Sequence, residues 1–420
     1  MKVLEHLFGR SISIGLLLLA GLFSGCGDDA SSRTSSLLWS DFYSGPPPVP
    51  SSAVAEDVAT CEGRYFVVGE THSQMLLRAY TADGGELAWQ SSEPFDSSGE
   101  ARSVVCEEGW VFVSGRSYWE RNAAFVRAYD GETGSKLWER VIDEGDWTQD
   151  MDLAVAGGAL FLLTKSDDRT VMDLFALDTA TGDQLWKSSD PDARLPYVSA
   201  RLSVWNDQVC FARDLGDGDF LRCYDRRSGE LLWVAPSVGA EGRPVASRIE
   251  TGQQLVAFGH GEGLSGVVAA YDPRDGTLLW SRDDFHFVND VHVLDDRVLV
   301  SGIDFRFEGK DEDSEVSIFR VESINASGAT VWSDRHDGEG VRHSVLAGDR
   351  LFVAGEVWQA RVYDAGSGRI VAEQSDLSPP QNRWAWAIAA EHDRFAIVGA
   401  TYRANSFDLD FAVRAYGISQ

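Results

Sequence analysis

Beyond its first 35 residues the chain places apolar residues in short runs and nowhere sustains helical spacing. Tyr65 to Gly69, Trp110 to Gly115, Leu160 to Thr164, Val209 to Arg213, Leu255 to Gly259, Val298 to Gly302, Leu351 to Gly355 and Phe395 to Gly399 are rich in Val, Leu and Phe, and most end on a small residue. Runs of this length bounded by glycine and acidic turns predict β-strands. A second element recurs between them, and its clearest copy is Ala128 to Glu139, Ala-Tyr-Asp-Gly-Glu-Thr-Gly-Ser-Lys-Leu-Trp-Glu. Glycine leads to tryptophan four residues later at Gly85 and Trp89, Gly134 and Trp138, Gly182 and Trp186, Gly229 and Trp233, Gly276 and Trp280, and Gly328 and Trp332. A seventh copy, Val362 to Gly368, has Ala372 where the tryptophan belongs. The copies follow one another at roughly 40 to 52 residues, the period of four-stranded propeller blades.

Each copy reads as a hairpin. Asp130, Asp178, Asp225, Asp272 and Asp364 end one strand, where a short carboxylate can accept from turn amides, and the glycine permits the positive φ that rejoins the next strand. That outer strand carries Leu-Trp or its equivalent, neighbours that point to opposite faces, so both faces are expected to be buried between adjoining sheets. Ala101 to Cys106 and its counterparts supply the inner strands.

The chain ends complete the count. Ser36 to Ser40 resembles a solitary outer strand, matching Leu231-Leu232-Trp233, and Phe411 to Tyr416 is a third strand with only four residues after it. Together they make one blade, which closes a ring and removes its exposed sheet edges. The fold class is therefore all-β, an eight-bladed β-propeller of four-stranded antiparallel blades over residues 36–420, closed by the N-terminal strand. Ahead of it, Lys2 and Arg10 precede or begin an apolar run, Ile12 to Phe23, too short to span a bilayer comfortably. Residues 1–25 read as a signal peptide. Leu22-Phe23-Ser24-Gly25-Cys26 resembles the bacterial lipobox, with Phe23 in place of the usual leucine, which makes Cys26 the lipidation residue. Residues 26–35 are then a polar tether.

The repeated Ala-x-Asp-x-x-x-Gly-x-x-x-Trp pattern resembles the tryptophan-docking motif of the PQQ-like eight-bladed propellers, the family of the quinoprotein dehydrogenases and the BamB-type outer-membrane assembly lipoproteins. The resemblance implies a structural belt between neighbouring blades made by Trp39, Trp89, Trp138, Trp186, Trp233, Trp280 and Trp332. Family members that oxidise alcohols use a vicinal cysteine pair and a calcium site on insertions. Cys26, Cys61, Cys106, Cys210 and Cys223 include no adjacent pair, and the blades leave little room for insertions. No cofactor is expected on this reading; PQQ with calcium belongs to the dehydrogenase alternative. Cys210 and Cys223 face each other if Val209 to Tyr224 is a hairpin, and Cys61 and Cys106 hold matching places in successive blades. Disulfides and buried free thiols both fit.

Charge narrows the partners. The whole chain carries −29, and removal of Lys2, Arg10 and Glu5 with the leader takes it to −30, a field that repels nucleic acid and anionic lipid. His292 and His343, with Asp290 nearby, fall on inner strands as single polar channel residues and carry no metal-ligand spacing. The acidic runs Asp214 to Asp219 and Asp311 to Glu315 do not match a calcium loop. The longer connections share one face and present Tyr118, Trp119, Arg121, Trp147, Phe305, Arg306, Phe307, Trp358, Arg383, Trp384, Tyr402 and Arg403, the composition of binding hot spots. Trp358 or Trp384 can alternatively fill the gap beside Ala372. The sequence thus points to a monomeric, exported, lipid-anchored scaffold in the periplasm or at the cell surface, on the outer membrane, that binds an envelope protein. A PQQ-dependent dehydrogenase of alcohols or sugars and a carbohydrate- or peptide-binding surface propeller are the competing readings.

Overall fold

The computed structural model describes residues 33–418 apart from 46–51, 72–73, 95–98, 118–122, 143–147, 167–170, 191–200, 213–218, 237, 239–244, 253–254, 262–264, 308–314, 338–339, 356–357, 375–382 and 404–407. The signal peptide, Cys26, most of the tether and most of both acidic runs lie outside the described residues. The propeller begins earlier than the expected residue 36, because Arg33, Thr34 and Ser35 already pair in the sheet and are not tether. Strands pair antiparallel with their sequence neighbours in groups of four. Six sheets have four strands each, and an eight-stranded sheet joins two more blades edge to edge. Blade 1 consists of Ala53–Cys61, Arg64–Thr71, Gln74–Thr81 and Leu87–Pro94, and six further blades follow the same order. Blade 8 draws Arg383–Glu391, Arg394–Tyr402 and Leu409–Ile418 from one end of the chain and Arg33–Tyr43 from the other. That last strand runs antiparallel to Leu409–Ile418, from Ser35 opposite Ile418 to Tyr43 opposite Phe411.

Second and third strands are buried along most of their length, as in Arg64–Thr71 and Gln74–Thr81, because each blade is covered on both faces by its neighbours. The apolar clusters lie at the seams between blades. Phe66 and Leu77 meet Val104 and Phe125 between blades 1 and 2, and Val58 and Tyr65 meet Ala389 and Val398 between blades 1 and 8. The outer strands depart from the sequence expectation of two buried faces. Trp186, Trp233 and Trp280 are buried, but the preceding Leu185, Leu232 and Leu279 are 54%, 46% and 45% exposed. Blades splay apart toward the perimeter, so the outermost strand is covered on the tryptophan side alone.

Each tryptophan lies against the turn glycine of the next blade. A Cβ on Gly134, Gly182 or Gly276 would stand 2.5, 2.7 or 2.4 Å from Trp89, Trp138 or Trp233. All three glycines have φ of 73°, so the position needs both a left-handed backbone and a bare Cα. The indole N–H then donates to a carbonyl of the same turn: Trp89 to Gly131 at 3.0 Å, Trp138 to Thr179 at 2.8 Å, Trp186 to Arg226 at 2.9 Å and Trp233 to Pro273 at 3.0 Å. The strand-ending aspartate shapes the turn. Asp130 accepts from the Thr133 amide at 2.7 Å, and the hydroxyl and amide of Thr133 hold its carboxyl below the usual range.

A second set of cross-seam contacts was not legible in the repeat. Arginines on third strands reach carboxylates on the outer strand of the preceding blade: Arg78 to Asp41 at 3.1 Å, Arg222 to Asp190 at 3.2 Å, Arg320 to Asp284 at 2.6 Å and Arg361 to Asp334 at 2.9 Å. Tyr80 and Tyr363 donate to Asp41 and Asp334, each at 2.7 Å. Indole at one level and ion pair at the other fix the angle between adjacent blades.

Ala372 now has a physical explanation. A tryptophan there would dock on the turn between the third and outer strands of blade 8, and those strands come from opposite ends of the chain with no hairpin between them. Arg33 and Thr34 run parallel to Ala372 and Glu373 instead. Trp358, 0% exposed, packs the same seam with Val362, Ala412 and Tyr416.

Blade 6 supplies an internal control. Asn325 stands where the aspartate belongs, Gly328 follows it by three residues rather than four, and the Trp280 N–H has no hydrogen-bond partner among the described residues. Trp186→Phe loses a real hydrogen bond and Trp280→Phe loses none, so chemical denaturation is expected to show Trp186→Phe less stable than Trp280→Phe by about 1 kcal/mol.

Candidate functional site

Two surfaces can carry function on this ring, the central channel and the face that holds the longer connections. The channel is shaped by a bulge repeated in the inner strands. Register shifts leave Glu56, Arg102, Met151, Asn289, Arg342 and Trp386 as the extra residues of their blades. The displaced inner-strand carbonyl presses on the second strand. A Cβ on Gly69, Gly115, Gly302 or Gly399 would lie 1.9 to 2.1 Å from the carbonyl of Val54, Glu100, Phe287 or Trp384. In these four blades the glycine that ends the second-strand run gives the bulge room, whereas blade 3 makes the same bulge opposite Thr164.

The channel encloses about 300 Å³ and is lined by Glu56, Asp57, Arg102, Asp152, Arg201 and Glu250, among others. Its carboxylates are largely committed to the ring. Asp57 accepts from the Val104 amide at 2.9 Å, Asp152 from the Leu202 amide at 2.7 Å and Asp290 from the Ser344 amide at 2.6 Å, each in the following blade. Burial pushes the Asp57 carboxyl up, against the pull of the Val104 amide. His292 lies 2.8 Å from Glu250 and 3.0 Å from the Ser344 hydroxyl, so both ring nitrogens are engaged. His343 approaches Asp290 at 3.8 Å. Among the described residues no three His, Cys, Asp or Glu side chains stand together as metal ligands. Sequence reasoning singled out Asp290 and passed over Asp57 and Asp152; the shared signal was an aspartate before Val or Leu in the inner strands.

On the loop face Tyr118, Trp119, Arg121 and Trp147 lie outside the described residues. Trp358 does not belong to this face, because it is buried in the seam beside Ala372. Trp384 and Tyr402 remain half-buried and meet edge to face at 5.3 Å at the loop-face rim of blade 8. Arg403 braces the N-terminal strand's exit, bonded to Asp410 at 2.8 Å and to the Ser44 carbonyl at 3.4 Å. In blade 6 the hairpin of Arg297–Phe307 and Glu315–Asn325 continues four residue pairs past the inner strand, which pairs no further than Ile303. Its base rests on Phe305 against Phe287 at 5.5 Å, and it presents exposed Arg306, paired with Asp337 at 2.7 Å.

The cysteines are joined in two pairs. Cys61 and Cys106 form a disulfide across blades 1 and 2, and Cys210 and Cys223, opposite each other on paired strands of blade 4, form a second. The free-thiol alternative is not what the structure holds.

Residues 73–301 match the family model described as outer membrane protein assembly factor BamB. No curated protein matches the chain in sequence. Among solved structures, BamB from Moraxella catarrhalis is 14% identical with a TM-score of 0.57, covering 92% of this chain and 100% of its own. A europium-containing methanol dehydrogenase is 10% identical with a TM-score of 0.62, covering 91% of this chain and 93% of its own. The computationally designed Ika8 protein is 14% identical with a TM-score of 0.60, covering 88% and 97%. At these identities the likeness is one of fold.

Glu56 makes the channel sensitive to pH. Burial, with Glu70 and Glu100 adding to it, pushes its carboxyl up to about 7. The folded protein holds this proton where the unfolded chain has released it, so the group's contribution to stability falls as pH rises from about 4.5 to 7. Glu56→Gln is expected to raise stability by on the order of 1–2 kcal/mol at pH 8 and to leave it unchanged at pH 4, measured by denaturant midpoint.

Proposed function

The chain belongs to the family of the outer membrane protein assembly factor BamB, and from that membership we propose that it is a non-enzymatic scaffold of the bacterial envelope, lipid-anchored at Cys26, that binds a protein partner through its loop face. The observation that carries this reading is the division of labour between the two surfaces. The channel's aspartates are committed to holding the next blade, whereas Trp384, Tyr402 and Arg306 stand at the loop-face rim, where a rigid scaffold usually carries its binding residues. Aromatic and arginine side chains there match the composition of binding hot spots. Two disulfides support residence in an oxidising compartment outside the cytoplasm. A net charge of −30 without the leader favours a partner whose contact surface is basic, and a monomer with residues 1–25 removed and residues 26–32 as tether is the form in which it acts.

Affinity capture from solubilised membranes with the full-length protein tests the proposal. Trp384→Ala, and the loop variants Trp119→Ala and Arg121→Ala, are expected to reduce recovery of one envelope protein by about thirtyfold or less, the loss of an ordinary hot spot, with the fold intact by circular dichroism. Recovery of a glycan in its place assigns the face to carbohydrate. Titration with PQQ and calcium, followed by dye-linked oxidation of alcohols and sugars, addresses the dehydrogenase reading: saturable binding with turnover overturns the scaffold.

A further inference from the structure

The direction of the N-terminal strand fixes the side of the ring on which the described chain begins. Outer strands of blades 1 to 7 leave a glycine turn at one face and end at the loop face. Arg33–Tyr43 is the outer strand of blade 8 and runs the same way, with Tyr43 opposite Phe411 at the loop end and Ser35 opposite Ile418 at the turn end. Ile418 is tied there by its amide to the Asp393 carbonyl of a turn. Arg33 and Thr34 then continue outward along Ala372 and Glu373 of blade 7, on the turn-side half of the perimeter. Among the described residues the strand therefore begins on the turn side and not at the loop face. Cys26 is seven residues ahead of Arg33, which limits the reach of the intervening backbone to roughly 25 Å. Strands of about eight residues make the ring itself roughly 25 Å thick.

We infer that the turn-lined face is the side turned toward the membrane, and that the loop face is presented away from it, a ring's thickness further into the aqueous compartment. The inference rests on the lipid-anchored reading of Cys26. The partner it fits is a phospholipid surface approached without insertion. Glu62, Glu108, Asp295, Asp296 and Asp349 are exposed on the turns and oppose close contact with anionic headgroups, so the lead holds the face near the bilayer while repulsion keeps it off. Exposed Arg274 and Arg394 on the same turns are paired with Asp272 and Asp83 and do not reverse that sign. The partner-binding residues are thereby left clear of lipid.

The test uses the full-length lipidated protein in phosphatidylcholine and phosphatidylglycerol vesicles. Its other cysteines are in disulfides or at the anchor, so an added thiol takes the label. Asp349→Cys marks a turn and Arg306→Cys the loop side. With a headgroup acceptor in the vesicles, the donor at residue 349 is expected to lose about half its emission within a reach of roughly 25 Å, and the donor at residue 306, about twice as far away, several-fold less. Equal losses, or a greater loss at residue 306, overturn the orientation while leaving the anchor standing. Flotation of the vesicles separates the two questions: if wild-type protein fails to float with them, or Cys26→Ser floats equally well, the anchored reading falls and this one with it.

Discussion

The contact on which the rest depends is an indole laid on a bare glycine across each seam. It needs a turn with no Cβ at one position, a tryptophan four residues after such a glycine, and a carbonyl aimed at the indole N–H. All three come from one twelve-residue stretch, but the partners are in different blades. Trp138 does not touch Gly134 beside it in sequence; it touches Gly182. Each unit therefore completes its neighbour, and no unit can satisfy its own tryptophan, which is why the stability of such an array lies in nearest-neighbour interfaces.

Closure follows from the same constraint. The series of dockings must be interrupted where the chain ends meet, and it is interrupted at the blade whose tryptophan is replaced by Ala372. Trp358 and the first residues of the N-terminal strand occupy that seam instead. The ion pairs from Arg78, Arg222, Arg320 and Arg361 supply a second level of fixation toward the loop face, where the indoles do not reach. A ring held at two levels is a stiff support. In blades 1, 2, 6 and 8 a second-strand glycine adds to this by leaving room for the inner-strand bulge that shapes the channel wall.

How much of this was legible in sequence depended on whether a contact left a periodic trace. The glycine and tryptophan repeat gave blade number, strand order and the pairing of the two ends. It misled about the outer strands, because Leu185 and Leu232 read as buried neighbours of a tryptophan, and alternation cannot show that blades diverge with radius. Trp358 read both as a face residue and as a filler beside Ala372, because a loop tryptophan and a seam-filling tryptophan look alike in sequence; the structure takes the second. The channel was only partly legible. Asp57, Asp152 and Asp290 accept amides from another blade, and that role is visible only once inner strands are aligned around the axis. Of the proposed binding face, Trp384 with Tyr402 and Phe305 with Phe287 are brought together, whereas Arg403 is engaged in bracing the clasp.

The central claim is that the repeated glycine is required by the neighbouring indole and not by its turn alone. Gly182 and Gly158 of blade 3 separate the two requirements: φ is +73° and +80°, but a Cβ on Gly182 would stand 2.7 Å from Trp138, and one on Gly158 would meet nothing within 4 Å. The measurement is the denaturant midpoint of Gly182→Ala against Gly158→Ala. If the indole is decisive, Gly158→Ala loses about 1–2 kcal/mol, the ordinary cost of a left-handed alanine, and Gly182→Ala loses at least twice that. Equal losses for the two variants would contradict it.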